Sequence, residues 1–127
     1  MLAEEMSGGV LAFIGDAVMT LMVREYLVSL GYTKAKQLQE LSITYVSAKA
    51  QAEFMKALSP LLSEEEKIIF RRGRNYKCHS APRNTDTADY HAATGLEALW
   101  GYWHLKHQDA RIDEVFQLMI KEKAFQF

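Results

Sequence analysis

Apolar residues recur along most of this chain at the three- and four-residue spacing of an amphipathic helix, and no segment shows the alternation of a strand. Glycine and proline are scarce, with seven and two copies among 127 residues, so little interrupts the helical pattern. The pattern therefore predicts an all-α fold. Six helices are predicted, at about residues 9–30, 34–41, 44–58, 64–72, 86–107 and 110–123.

Several of the predicted helix ends carry residues that commonly cap helices. Gly31 is placed to end the first helix, and Thr33 to cap the N-terminus of the second. Ser63 and Glu66 form the Ser-x-x-Glu pattern of a capping box before the fourth helix. The segment 73–85 that follows this helix is predicted to be the longest loop.

Two acidic residues interrupt otherwise apolar helical segments. Asp16 lies in the run 10–19 directly after Gly15, and Glu97 lies in the segment 96–102. An unpaired carboxylate buried in such a setting costs several kcal/mol, a large part of the stability of a fold. Gly15 is a poor residue for a helix interior, by roughly 1 kcal/mol against alanine, which favours close approach of another helix or a ligand. The two acids could share one metal site, or Asp16 could instead pair with an arginine or cap a neighbouring helix.

The first helix is expected to bury the apolar side chains on one of its faces. These side chains are Leu11, Ile14, Val18, Leu21 and Met22.

Composition is that of an ordinary globular protein, with 49% hydrophobic and 24% charged residues. The length predicts a single domain over 1–127. The single cysteine, Cys78, excludes an internal disulfide and fits a reducing compartment. No apolar run approaches the roughly 18 residues of a membrane span, and the N-terminus lacks a basic region. We therefore expect a cytoplasmic location without membrane association.

Charge is unevenly distributed, although the formal net charge is only −1. Residues 67–85 hold six of the 15 lysines and arginines and none of the 16 acidic residues. Such a segment can bind the phosphate backbone of RNA, or it can be a solvated helix end with its loop. The candidate RNA contacts are Arg71, Arg72, Arg74, Asn75, Lys77, Arg83, Asn84, Thr85 and, on an earlier helix, Lys49.

Other residues are weaker candidates for chemistry. His104 and His107 share a helical face, but no cysteine or carboxylate is arranged around them to complete a zinc site. Trp100, Tyr102 and Trp103 are expected to pack in the core or in a subunit interface rather than to stack on bases.

Two motifs resemble those of the ribonuclease III family. The segment 13–18, Phe-Ile-Gly-Asp-Ala-Val, is similar to the family signature, and 97–101, Glu-Ala-Leu-Trp-Gly, resembles its second motif, Glu-Ala-Leu-Ile-Gly. Three segments between them resemble the short Mini-ribonuclease III branch, which has the catalytic domain alone. These segments are 46–52, 71–75 and 82–86. The resemblance covers about 10–120 of the chain.

The resemblance implies the all-helical, homodimeric ribonuclease III catalytic domain, without a separate double-stranded-RNA-binding domain. It implies hydrolysis of double-stranded RNA to 5′-phosphate and 3′-hydroxyl ends, in the maturation of the 23S ribosomal RNA precursor of bacteria. Asp16 and Glu97 would be the catalytic acids and the ligands of Mg²⁺, for which Mn²⁺ can substitute. Phe13 would pack into the partner subunit, and a ribosomal protein could present the substrate.

The chain departs from the family pattern at two positions. Longer members carry two acids in each motif, whereas Ala12 and Thr94 occupy two of the four positions here. Each of these positions shares a helix face with the acid that remains, Asp16 or Glu97. Two carboxylates can suffice for Mg²⁺, which keeps several waters and is often bound by one or two carboxylates plus substrate phosphate. The alternative is a catalytically weak or inactive helical domain that binds RNA or the ribosome.

Overall fold

The computed structural model describes residues 2–76 and 86–124. These residues form α-helices, two short 3₁₀ helices and no strand, which confirms the predicted all-α class. The α-helices are α1 (Gly8–Ser29), α2 (Ala35–Val46), α3 (Ala48–Leu58), α4 (Glu64–Arg74), α5 (Thr87–Leu105) and α6 (Asp109–Ala124). The 3₁₀ helices are Ala3–Glu5 and Ser59–Leu61.

Two of the three predicted helix-end signals act as expected. Gly31 follows α1 with a φ of +97°, a left-handed conformation that favours glycine. The Ser63 hydroxyl accepts a hydrogen bond from the Glu66 amide at 3.2 Å, and the Glu66 carboxylate accepts one from the Ser63 amide at 2.8 Å. The prediction for Thr33 is wrong, because α2 begins after Lys34, which makes no side-chain capping bond.

The break between α2 and α3 lies later than predicted. Ser42 and Thr44 lie within α2, and their hydroxyls donate to carbonyls of the preceding turn at 2.9 and 2.6 Å. Ser47 instead has extended backbone and accepts a hydrogen bond from the Ala50 amide at 3.2 Å, so it caps α3. α2 therefore runs on to Val46, and the predicted helix 44–58 begins four residues later.

Helix α5 lies at the centre of the fold and packs against α1, α3, α4 and α6. Its side chains Leu96, Leu99, Trp100 and Trp103 are fully buried. This confirms the predicted packing role of the two tryptophans, which lie in the core. Helix α4 runs through Arg74, so the predicted loop begins two residues later than residue 73.

Helix α1 is apolar on two faces, of which only one enters the core. Leu11, Met19 and Val23 are fully buried, whereas Leu21, which was expected to be buried, is 59% exposed. A three-residue spacing placed Leu21 with Val18, but the buried side chains of α1 follow a four-residue spacing, as from Met19 to Val23, and Leu21 lies outside that stripe. Among residues 2–76 and 86–124, no helix is long and apolar enough to cross a membrane.

Candidate active site

Helices α1 and α5 touch through their backbones where they cross. A Cβ atom placed on Gly15 would lie 2.7 Å from the carbonyl carbon of Glu97 and 2.7 Å from the amide nitrogen of Gly101, and closer still to the Glu97 carbonyl oxygen. Both distances are far below the 3.4–4 Å of ordinary van der Waals contact. Gly15 therefore permits close approach of a second helix, as its place in α1 predicts. The residue after it, Asp16, is brought to the helix that carries Glu97.

The carboxyl groups of Asp16 and Glu97 lie next to each other at this crossing. Burial raises the pKa of Glu97 to about 8, and the neighbouring Asp16 carboxyl contributes to the same rise. Asp16 is the more exposed of the two, and the Thr20 hydroxyl lies 3.4 Å from its Oδ1. A protonated Glu97 avoids the repulsion between two adjacent carboxylates.

The surroundings of Glu97 differ from those of the buried acid Glu66. Glu66 is paired with Arg111, whose Nε donates to Glu66 Oε2 at 2.9 Å, and it also accepts a hydrogen bond from Trp103 Nε1 at 2.8 Å. Within the two described ranges, neither Asp16 nor Glu97 forms an ion pair with lysine or arginine. The alternative in which Asp16 pairs with an arginine therefore has no support in this part of the chain.

Gln51 is a neighbour of Glu97 that the sequence analysis did not single out. It lies on α3 and is 2% exposed, and its Nε2 donates to the Val46 carbonyl at 2.9 Å. Its amide also lies beside the Glu97 carboxylate and acts to lower the pKa of that group. The sequence signal for Gln51 is its place on the apolar face of an amphipathic helix, where a neutral polar residue is unusual.

Glu97 and Gln51 line a cleft of about 350 Å³ between α2, α3 and α5. Thr94 lines the same cleft, and its hydroxyl donates to the Tyr90 carbonyl at 2.9 Å. Ala12, by contrast, is buried in the core. Of the two positions where longer relatives carry further acids, only the one on α5 faces the cleft.

The site fits a hard divalent cation that takes few protein ligands. Within residues 2–76 and 86–124, no group of three or more histidine, cysteine or acidic side chains could hold a metal. Asp16 and Glu97 nevertheless bring two carboxylates together without a cation, a donor set that suits Mg²⁺. Water and substrate phosphate would supply the remaining oxygens, as is common for this ion.

The predicted RNA-contact residues are exposed residues, residues outside the described ranges and, in a separate environment, Arg72. Lys49, Arg71, Arg74 and Asn75 are exposed, and Arg74 donates through Nε to Asn75 Oδ1 at 3.3 Å. Arg74 and Asn75 also line a second cleft, of about 460 Å³, together with Tyr76, Ala88 and His91. The predicted contacts outside the described residues are Lys77, Arg83, Asn84 and Thr85.

Arg72 has a different environment from the arginines around it. Its Nη1 donates to the backbone carbonyls of Glu4 at 2.7 Å and Met6 at 3.0 Å. These bonds tie the N-terminal 3₁₀ helix to the end of α4. Arg72 therefore has a structural role within the chain, and its contact with RNA stays a prediction.

Phe13 is 77% exposed on the outer face of α1. Val10, Leu21 and Val28 are also exposed on this helix. An exposed apolar stripe of this kind is typical of an interaction surface. His104 and His107 are exposed near the end of α5, and no metal-binding group includes them within the described ranges.

Comparison with known proteins agrees with this geometry. The family model for the Ribonuclease III domain matches residues 9–108. Mini-ribonuclease 3 of Enterococcus faecalis is 44% identical over 94% of this chain and 92% of its own length. Mini-ribonuclease 3 of Symbiobacterium thermophilum is 46% identical over 84% of this chain and 82% of its own length. A crystal structure of a protein from Fusobacterium nucleatum superposes with a TM-score of 0.85 and 34% identity, covering 94% of this chain and 95% of that one. The chain therefore belongs to the ribonuclease III family of endoribonucleases, in its Mini-ribonuclease III branch.

Proposed function

We propose that this endoribonuclease cleaves double-stranded RNA in a reaction that requires a divalent metal ion. The observation that carries the proposal is the contact between the Asp16 and Glu97 carboxyl groups at the α1–α5 crossing. A half-buried acid beside a second acid and without a basic partner is costly to maintain, so the arrangement is best explained by a cation that binds there. Family membership supports the same reading.

Asp16 and Glu97 would hold Mg²⁺, or Mn²⁺ in its place. When bound, such an ion neutralises charge that develops on the phosphate and makes a water nucleophilic near neutral pH. Asp16 approaches the site from α1 and Glu97 from α5, so the two acids fix the position of the ion relative to both helices. The products would carry a 5′ phosphate and a 3′ hydroxyl, as the resemblance implies.

Exposed polar and basic residues on α3 and at the end of α4 are proposed to hold the RNA backbone. Arg71 and Arg74 lie on the last turn of α4, and Asn75 ends that helix. Lys49 is exposed on α3, which also carries Gln51 at the cleft. Duplex RNA is recognised mainly by shape and by contacts to phosphates and 2′-hydroxyls, which these side chains can make. Lys77, Arg83, Asn84 and Thr85 remain predicted contacts.

The active form is proposed to be a homodimer formed through the outer face of α1, with Phe13 packed into the partner. Two sites related by a two-fold axis can cut the two strands of one duplex. The proposed substrate is the 23S ribosomal RNA precursor in the bacterial cytoplasm, with a ribosomal protein as a presenting partner. This part of the proposal rests on the family resemblance and on the exposed apolar stripe of α1.

The test is cleavage of duplex RNA with Mg²⁺, with and without a chelator, by the wild type and by Asp16→Asn. Asp16→Asn should reduce cleavage at least 10³-fold, about 4 kcal/mol in the barrier, while the helical circular-dichroism spectrum is retained. Asp113→Asn, which changes an exposed acid on α6, is the matched control and should cleave like the wild type. Wild-type protein that binds duplex RNA without cutting it would favour the inactive RNA-binding alternative.

A further inference from the structure

Gln51 has a buried polar atom that nothing in the fold accounts for. The side chain is 2% exposed, and its Oε1 has no hydrogen-bond partner in the described part of the chain. Buried polar atoms are rarely left without a partner, and exceptions often mark catalytic sites or the places of bound ions and water. The orphaned acceptor lies on a residue of the Glu97 cleft.

The contacts of the amide nitrogen fix the orientation of the Gln51 side chain. Nε2 donates to the Val46 carbonyl at 2.9 Å, and the amide lies beside the Glu97 carboxylate, whose pKa it acts to lower. Both partners are acceptors, so only the amide nitrogen can face them. A flipped amide would bring Oε1 against a carbonyl and a carboxylate. Oε1 therefore points away from the Val46 carbonyl and is the amide atom left without a partner.

A purely structural role explains only half of these contacts. The bond from Nε2 to Val46 ties the start of α3 to the end of α2, and a structural glutamine needs nothing more. Such a role gives no reason for Oε1 to be buried without a donor. It also gives no reason for the same amide to contact one of the two carboxyl groups of the site.

We propose that Gln51 is a positioning residue of the nuclease centre, which orients Glu97 through Nε2 and offers Oε1 as a neutral oxygen to the divalent ion or its hydration water. The inference rests on the function proposed above. Amide oxygens are accepted ligands of hard cations, and groups that orient ligating carboxylates are integral parts of metal sites. A neutral oxygen from α3 would compensate for the acid that Thr94 replaces in the same cleft.

The experiment measures Mn²⁺ binding to the protein without RNA, by electron paramagnetic resonance of free Mn²⁺. Wild type is compared with Gln51→Leu, Gln51→Glu and the control Gln37→Leu, which makes the same change at an exposed position near the start of α2. Gln51→Leu should raise the Mn²⁺ dissociation constant 10- to 100-fold, as loss of a metal-orienting group commonly does. The Gln37→Leu constant should match that of the wild type.

Melting temperatures with and without Mn²⁺ give a second readout that does not need the leucine variant to fold. Gln51→Glu adds a third carboxylate beside two others, so it should melt below the wild type in chelator. It should also gain more than the wild type from saturating Mn²⁺, because the added charge binds the ion. A glutamine that only ties α3 to α2 would give the glutamate variant no larger Mn²⁺-induced rise.

The outcomes separate this inference from the proposed function. If the wild type and Asp16→Asn bind Mn²⁺ equally weakly, the metal site itself is wrong and the inference fails with it. If the wild type binds Mn²⁺ through Asp16 but Gln51→Leu binds it within twofold of wild type, only the role of Gln51 is refuted. If Gln51→Leu does not fold, a Gln51→Glu rise no larger than that of wild type refutes it.

Discussion

A single methyl group added at Gly15 should move the two proposed catalytic acids apart. Gly15→Ala would place a Cβ 2.7 Å from the carbonyl carbon of Glu97 and from the amide nitrogen of Gly101. Ordinary contact begins at 3.4 Å, and both partners are backbone atoms, which cannot rotate away. Helices α1 and α5 must therefore move apart by roughly 1 Å or take up strain, since interiors are close-packed.

The sign of the stability change follows from two opposing effects. Alanine stabilises a helix interior by roughly 1 kcal/mol relative to glycine. Overpacking of a well-packed contact typically destabilises by about 1–3 kcal/mol, and occasionally by more. A backbone-to-backbone clash lies at the upper end of that range, so Gly15→Ala should lose about 2 kcal/mol overall. For a domain of this size, the loss corresponds to a melting temperature lower by roughly 10 °C.

The cleavage rate should fall by more than the loss of stability alone would cause. A displacement of about 1 Å between catalytic groups can cost roughly 100-fold in rate, and here the displacement lies between Asp16 and Glu97 themselves. Cleavage of duplex RNA by Gly15→Ala should therefore drop about 100-fold at a temperature where the variant remains folded. Mn²⁺ affinity should fall with it, because both acids are proposed ligands.

Gly9→Ala is the matched control, because it makes the same change on the same helix. The new Cβ would meet the side chain of Tyr76, which is exposed and can move aside. Its melting temperature should stay within a few degrees of wild type, and its cleavage rate should be unchanged. If Gly15→Ala is as stable and as active as Gly9→Ala, the α1–α5 contact does not set the distance between the two acids.

Two further predictions concern the raised pKa of Glu97 and the exposed face of α1. Because the folded state holds a proton on Glu97 up to a pKa of about 8 and the unfolded state releases it near 4.5, this group's contribution to stability is complete below pH 4.5 and is lost as pH rises to about 8. Urea unfolding in chelator should show that Glu97→Gln loses less stability than wild type between pH 5 and 8, by up to about 4 kcal/mol at 1.36 kcal/mol per pH unit. Parallel curves for the two proteins would contradict the assignment. Phe13→Asp should convert a dimer to a monomer in sedimentation equilibrium, whereas Leu61→Asp, a change at an exposed leucine outside α1, should not; equal masses for the two variants would exclude the α1 interface.

The helices were predictable because local signals and apolar spacing agree over most of the chain. The capping box at Ser63 is a local device, and the structure contains it as predicted. The break between α2 and α3 was not predictable, because Ser42, Thr44 and Ser47 carry the same chemical group. The first two bond to carbonyls inside a helix, and the third caps the next helix. Packing against the rest of the fold decides between these uses.

The site was predictable to the extent that its residues stand out in an apolar context. Asp16 and Glu97 do so, and the glycine beside Asp16 indicated a close neighbour. Gln51 does not, because a neutral amide in an amphipathic helix normally faces water. Arg72 could not be separated from Arg71 either, since its partners are backbone carbonyls near the N-terminus that leave no mark on the sequence.

The same burial that defines the Glu97 site also limits how tightly it can bind a cation. With a pKa of about 8, Glu97 is mostly protonated at neutral pH, so an ion must displace a proton before it gains the second carboxylate. A protonated Glu97 attracts a cation less strongly than an ionised one. A bound RNA phosphate adds negative charge and oxygen ligands at the moment the ion is needed. Metal and substrate should therefore bind cooperatively, because each supplies what the two-acid site lacks without the other.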